Sequence, residues 1–269
     1  MTQIPIRGIV ICVNYDDLLR ITLVRNMRHL TECLVITSPT DTATKELCAG
    51  IPNVRVYETD AFYRYGAKFN KGLAMEEGFD VLGRTGWILV FDADTLLPDD
   101  ISYDYQFGNL YGAKRVILNN PKLWHPAYDW NRAVPSHDPS FPGYFQLFHA
   151  DDPHIAEHPW YDVTFTHAGG CDGYFQTRWP QSKKIRLPFK VLHLGPRDTN
   201  WFGRASERTD SKPVENQTEF YREMQKFLTF KGWRGANDAL QVGADYNEKV
   251  AVPGAVETGY KLTGKYDKK

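Results

Sequence analysis

Apolar positions recur along this chain with two different periods. Short, nearly unbroken apolar runs occur at residues 8–13 (GIVICV), 33–37 (CLVIT), 54–57 (VRVY) and 87–91 (WILVF). Runs of this length, rich in Val, Ile and aromatics and bounded by turn residues, predict strands buried on both faces. Between them lie stretches with apolar residues three and four apart. In 17–30, Leu18, Leu19, Ile21, Leu23, Val24, Met27 and Leu30 alternate with Arg20, Arg25, Asn26 and Arg28, predicting an amphipathic helix. Shorter and longer helices are predicted at 41–49 and 62–78. Strand and helix alternate from the start to residue 91, which predicts an α/β fold with a mostly parallel, Rossmann-like sheet flanked by helices.

The pattern loosens after Pro98. Residues 101–113 read as helix, 116–119 and 144–149 as strands, and 190–194 as a last short strand. Residues 120–142 have no clean period, and a connection that long inside a compact domain is usually functional. Phe220, Met224, Phe227 and Leu228 predict a closing helix over 214–230, and a polar tail begins at 254. One domain over 1–253 is expected, with halves 1–98 and 99–253 and the tail 254–269 outside it.

Composition narrows the function classes. The chain has 269 residues, 42% hydrophobic and 24% charged, with a formal net charge of −1. That balance argues against a strongly basic, non-specific nucleic-acid binder. No apolar run reaches the ~20 residues of a membrane span. The N-terminus reads as a first strand rather than a signal sequence. Cys12, Cys33, Cys48 and Cys171 form no CxxC and fall largely in apolar runs, so free buried thiols and a reducing, cytoplasmic compartment are expected.

The chemistry gathers at WILVFDADTLLP, 87–98. The apolar run ends in Asp92 and Asp94, and residues i and i+2 of an extended chain point the same way. Two carboxylates on one side, where open α/β sheets place their ligand crevices, call for a cation between them. A divalent ion with hard oxygen ligands, Mg²⁺ or Mn²⁺, is one reading; a strand-end turn stopped by Pro98 is the other. Neither a Walker A motif nor Gly-x-Gly-x-x-Gly is present, which disfavours P-loop NTPases and dinucleotide dehydrogenases.

Three features in order resemble the nucleotide-sugar half of GT-A glycosyltransferases of the family 2 type. They are VNYDD at the end of the first strand, YGAKFNKGLAMEEG (65–78), and Asp92-Ala93-Asp94 after a hydrophobic strand. The resemblance covers about residues 4–98. It implies transfer of a sugar from a nucleotide diphosphate sugar, with UDP-sugars favoured, to an acceptor hydroxyl, a glycan or a modified nucleic acid among the candidates. It implies donor contacts at Asn14, Tyr15, Asp16, Gly66, Lys68, Asn70, Asp92, Ala93 and Trp201, and metal contacts at Asp92, Asp94 and His193. HAGGCDGYF (167–175) resembles the Gly-Gly-acid step before the acceptor in this group, which makes Asp172 the candidate base of an inverting reaction. Cys171 stands where the family often has a second acid. Arg197 and Arg204, in RDTNWFGR, would stabilise the departing diphosphate. By themselves these residues also read as a glycine-rich turn and a surface loop. FDADTLLP also resembles the start of haloacid dehalogenase-type phosphatases, in which Asp92 would be the nucleophile, although Leu96 stands where Thr or Val is usual. A catalytically inactive nucleotide- or glycan-binding module is the third reading.

Overall fold

The computed structural model describes residues 4–210 except 137, 197 and 198. The expected helix at 214–230, the tail, and Arg197 lie outside the described residues.

Nine strands form one sheet in the order β3-β2-β1-β4-β8-β6-β9-β5, with β7 paired to β6. β1 (Ile6–Ile11), β2 (Glu32–Thr37), β3 (Val54–Glu58) and β4 (Trp87–Val90) are the predicted parallel set. β5 (Thr95–Leu96), β6 (Leu110–Leu118), β7 (Val134–Ser136), β8 (Gln146–His149) and β9 (Lys184–Leu194) extend it as a mixed sheet. β8 joins β4 antiparallel, while β6 and β9 run parallel to each other. The Rossmann-like α/β architecture expected from the alternating pattern is therefore the one observed.

The inner strands β1, β2 and β4 are buried on both faces, as near-continuous apolar strands require, whereas β3, expected to be buried as well, is the sheet edge and only half-buried. Ile9, Leu34, Ile36, Ile88 and Val90 pack on one face with α3 (Lys71–Leu82) and α4 (Cys171–Gln176). Val10, Val35 and Leu89 face the other way, against Leu19 and Leu23 of α1 (Asp16–Asn26) and Cys48 of α2 (Thr42–Ala49). All four cysteines are buried and free. Among the described residues no helix is long and apolar enough to cross a membrane.

Four expected boundaries are corrected. Residues 101–113 are not helical: Gly108 turns the chain at φ 84°, and Leu110 already belongs to β6. Tyr103, Tyr105 and Tyr111 pack edge-on or tilted against one another there, so tertiary packing overrides the local period. The helix expected at 62–78 begins only at Lys71, because Tyr65 and Gly66 have positive φ and Asn70 caps the helix through Leu73 N–H. β9 starts at Lys184 rather than 190, gaining a full ladder with β6. The glycine-rich step at 167–175 runs into a short helix, α4.

Candidate active site at the switch point of the sheet

β1 lies between β2 and β4. The chain goes from β1 to β2 and β3 on one side, then crosses to β4 on the other. Connections leaving the carboxyl ends of β1 and β4 therefore diverge, which is the position where open α/β sheets bind ligands. Asn14 to Asp17 follow β1, and Asp92 to Asp94 follow β4, so the two acid-rich turns predicted as donor-binding both lie at this position.

Asp94 is buried, and β5 brings a partner to it. Thr95 pairs with His193 in the β5–β9 ladder, and Leu194 N–H donates to the Asp94 carbonyl at 2.9 Å. His193 Nδ1 thereby lies 3.2 Å from Asp94 Oδ1, without the alignment of a hydrogen bond. Burial alone would raise the Asp94 pKa. The imidazole beside it, with help from Arg115 and Lys71, outweighs burial and holds the carboxyl below its ordinary value. Asp94 Oδ1 and His193 Nδ1 are buried as an ion pair, and among the described residues His193 Nε2 is buried without a hydrogen-bond partner. A carboxylate oxygen beside an imidazole nitrogen suits a divalent cation.

Asp92 is engaged differently. Its Oδ1 accepts from Lys71 Nζ at 2.9 Å, with the lysine side chain 11% exposed and the carboxylate 36%. Burial alone would lower the Lys71 pKa; Asp92 and then Asp172 overcome it and hold the ammonium above its usual value. Among the described residues no three His, Cys, Asp or Glu side chains form a metal cluster. Asp94 and His193 are neighbours, and Asp92 is paired with Lys71.

Asp172 opens α4 and is held by two backbone donors, Gly143 N–H at 2.7 Å to Oδ2 and Gly173 N–H at 2.9 Å to Oδ1. A Cβ at Gly143 would lie 3.0 Å from both Asp172 Oδ2 and Lys71 Nζ, so these two side chains come together over it. Lys71 therefore stands between Asp92 and the candidate base. Behind them Gln146 is fully buried, donates to the Asp172 and Phe141 carbonyls, and accepts from Tyr161 Oη.

The predicted nucleotide end is closed by the chain itself. Arg204 spends all five N–H donors: on both oxygens of Asp17 and on the carbonyls of Asn14, Ser206 and Glu207. Its guanidinium also lies 4.7 Å over the Tyr15 ring. Arg208 forks onto Asp16 at 2.7 and 2.8 Å and onto Asp210 at 2.9 and 2.8 Å. Arg204 and Asp16, expected to touch donor, are thus each joined to a partner from the other segment. Burial would raise the Asp17 pKa, but Arg204 and Thr209 lower it further.

The remaining expected residues fall around this frame. The Asn70 amide is used at both ends, accepting from Leu73 N–H and donating to the Val163 carbonyl. Gly66 is exposed, and Lys68 is exposed with its backbone tied to Thr166. The Ala93 carbonyl accepts from Thr22 Oγ1 at 2.7 Å. Trp201 docks on the glycine-rich step, its carbonyl accepting Ala168 N–H at 2.8 Å. The sequence reading missed the bridging place of Lys71 and missed Arg115 altogether. A charged pair, Lys114-Arg115, inside an otherwise apolar strand was the available signal for the latter.

No protein-family model matches the chain, and no curated protein matches it. Solved structures are similar to it in fold. Mannosyl-3-phosphoglycerate synthase from Rubrobacter xylanophilus is 15% identical over 72% of this chain and 68% of its own, with a TM-score of 0.44. The galactosyltransferase LgtC, in complex with donor and acceptor sugar analogs, is 12% identical over 81% and 99%, at 0.41. Glucosyl-3-phosphoglycerate synthase from Mycobacterium tuberculosis, in complex with UDP, is 9% identical over 87% and 82%, at 0.41. Likeness at this level carries no donor, acceptor or mechanism over to this chain.

Proposed function

We propose that the protein is a glycosyltransferase that moves a sugar from a nucleotide diphosphate sugar to an acceptor hydroxyl. The observation that carries the reading is the pairing of two acid-bearing turns, 14–17 and 92–94, across the switch point of the sheet, with Asp94 beside His193 and Asp172 across Lys71. A nucleotide diphosphate fits this place in an open α/β sheet.

Asp94 and His193, with Asp92, would hold a Mn²⁺ or Mg²⁺ ion, which supplies charge neutralisation on the diphosphate. The chain's own residues do the rest. Lys71 neutralises Asp92 and stands beside Asp172, keeping two carboxylates apart in a small space. Asp172, its orientation fixed by the Gly143 and Gly173 N–H groups, takes the proton of the acceptor hydroxyl. The hydroxyl oxygen then bonds to the anomeric carbon as the bond from that carbon to the phosphate oxygen breaks, releasing the nucleoside diphosphate. Attack from the face opposite the leaving group gives inversion.

The test is a donor screen on the full chain. UDP-, GDP-, CDP- and dTDP-sugars are incubated with Mn²⁺ or with chelator, and released nucleotide is quantified. Metal-dependent release from one donor supports the reading and names the nucleotide. No release, together with no calorimetric binding of any of the four nucleoside diphosphates, refutes it.

A further inference from the structure

Arg204 and Arg208 use every N–H they have. Arg186 caps the carbonyls of Ala113, Asp138, Pro139 and Ser140. Arg115 does neither. Its side chain is only 10% exposed, yet its one hydrogen bond is a long 3.4 Å contact from Nη2 to Ser136 Oγ. The Asp138 carboxylate stands off at 3.8 Å, and Nε is buried with no partner. The guanidinium carbon lies 4.4 Å from the centre of the Tyr144 ring, which fixes the group although Nε is left without a partner.

Its place is specific. Arg115 pairs with Val191 in the β6–β9 ladder, two residues before the Ile117–His193 pair, so it shares a strand face with Ile117. Its charge acts on Asp94. Tyr144, on which it lies, follows Gly143, the residue that holds Asp172. A desolvated guanidinium with an unpaired Nε–H and only long contacts at Nη2 is matched by a planar or tetrahedral oxyanion.

We infer that Arg115 anchors an oxyanion subsite in the candidate site, one that takes a phosphate or carboxylate group of the bound substrate. The subsite stands on its own geometry; only the identity of the anion, donor diphosphate or a charged acceptor, rests on the transferase reading.

The experiment uses the full chain and its R115Q, R115K and D138N variants, with calorimetry of inorganic phosphate, malonate, and UDP, GDP, CDP and dTDP beside their nucleosides. Loss of a charge-assisted fork weakens anion binding by about tenfold to a hundredfold in R115Q. R115K falls between, and D138N, which removes a competing carboxylate, binds the anion more tightly. If the loss shows on a nucleoside diphosphate but not on its nucleoside, the anion is the donor's diphosphate. If phosphate or malonate binding is lost even with nucleoside diphosphate saturating, the anion belongs to the acceptor. Folded R115Q that binds every anion as the native chain does overturns the inference, as does D138N reproducing the R115Q loss. A native chain that binds none of these anions overturns it too. Arg115-dependent phosphate binding without nucleotide binding overturns the transferase reading alone; nucleotide and phosphate binding indifferent to Arg115 overturns this inference alone.

Discussion

Lys71→Met removes the one ammonium that Asp92 touches while keeping the length of the aliphatic stem. Breaking a fully buried ion pair by deleting one partner costs about 3–5 kcal/mol. Here the lysine is 11% exposed but Asp92 is 36% exposed, so water recovers much of that, and a loss of about 1–3 kcal/mol is expected. The same change alters what the carboxylate can hold. A divalent ion on the far side of Asp92 would sit about 5 Å from Nζ, given the 2.9 Å contact and a metal–oxygen bond of about 2.1 Å. Repulsion between that ion and the ammonium is about 1.7 kcal/mol at the dielectric of water and about 7 kcal/mol at an effective value of 20. K71M should therefore bind Mn²⁺ at least about tenfold more tightly while being less stable without it. Urea unfolding with chelator and with Mn²⁺ reads both effects, because a ligand bound only to the native state raises its stability by mass action. Unchanged stability would show that the Lys71–Asp92 pair carries no weight. Mn²⁺ affinity unchanged or weakened would remove Asp92 from any metal site.

Three further predictions follow from the same geometry. Arg204→Gln breaks a pair whose side chains are 0% and 1% exposed, so unfolding free energy should drop by about 3–5 kcal/mol and cleavage within 199–210 should accelerate under limited proteolysis; a stability loss under 1 kcal/mol would show that the Arg204–Asp17 pair does not hold this segment. His167 is fully buried, and burial pulls its pKa down to about 4, so the native state refuses a proton that the unfolded chain accepts below pH 6.5. The sign is a loss of stability on acidification, about 2 kcal/mol between pH 7.5 and pH 5, and urea titrations of H167Q should lack that component; equal pH slopes would count against it. Gly72→Ala would set a Cβ 2.0 Å from the Asp162 carbonyl oxygen, so it should cost about 1–3 kcal/mol and shift the 162–172 segment, whereas an unchanged melting temperature would show that the contact relaxes freely.

The sequence by itself determined the first half of the fold. Apolar runs at 8–13, 33–37 and 87–91 are buried on both faces as inner strands, the run at 54–57 is the half-exposed edge strand β3, and the helical periods between them forced parallel crossovers. It also placed Asp92 and Asp94 at a strand end, because the alternation stops there. Beyond residue 98 the same reasoning failed. Residues 101–113 have a helical period, but a strand pairing with β8 and β9 buries Leu110 and Tyr111 better than a surface helix would. The site divides in the same way. Local pattern pointed to the acids, since a carboxylate after an apolar run stands out on its own. Their partners were set by contacts spanning 21 residues for Lys71–Asp92 and 187 for Asp17–Arg204, which no local period encodes. Only the tertiary structure decided that Asp16 and Asp17 meet arginines, that the two-residue strand β5 is what sets His193 beside Asp94, and that Arg115 Nε is buried without a partner. Periodicity reports which face of an element is buried; the partner of a buried charge depends on which distant segments the sheet order brings together.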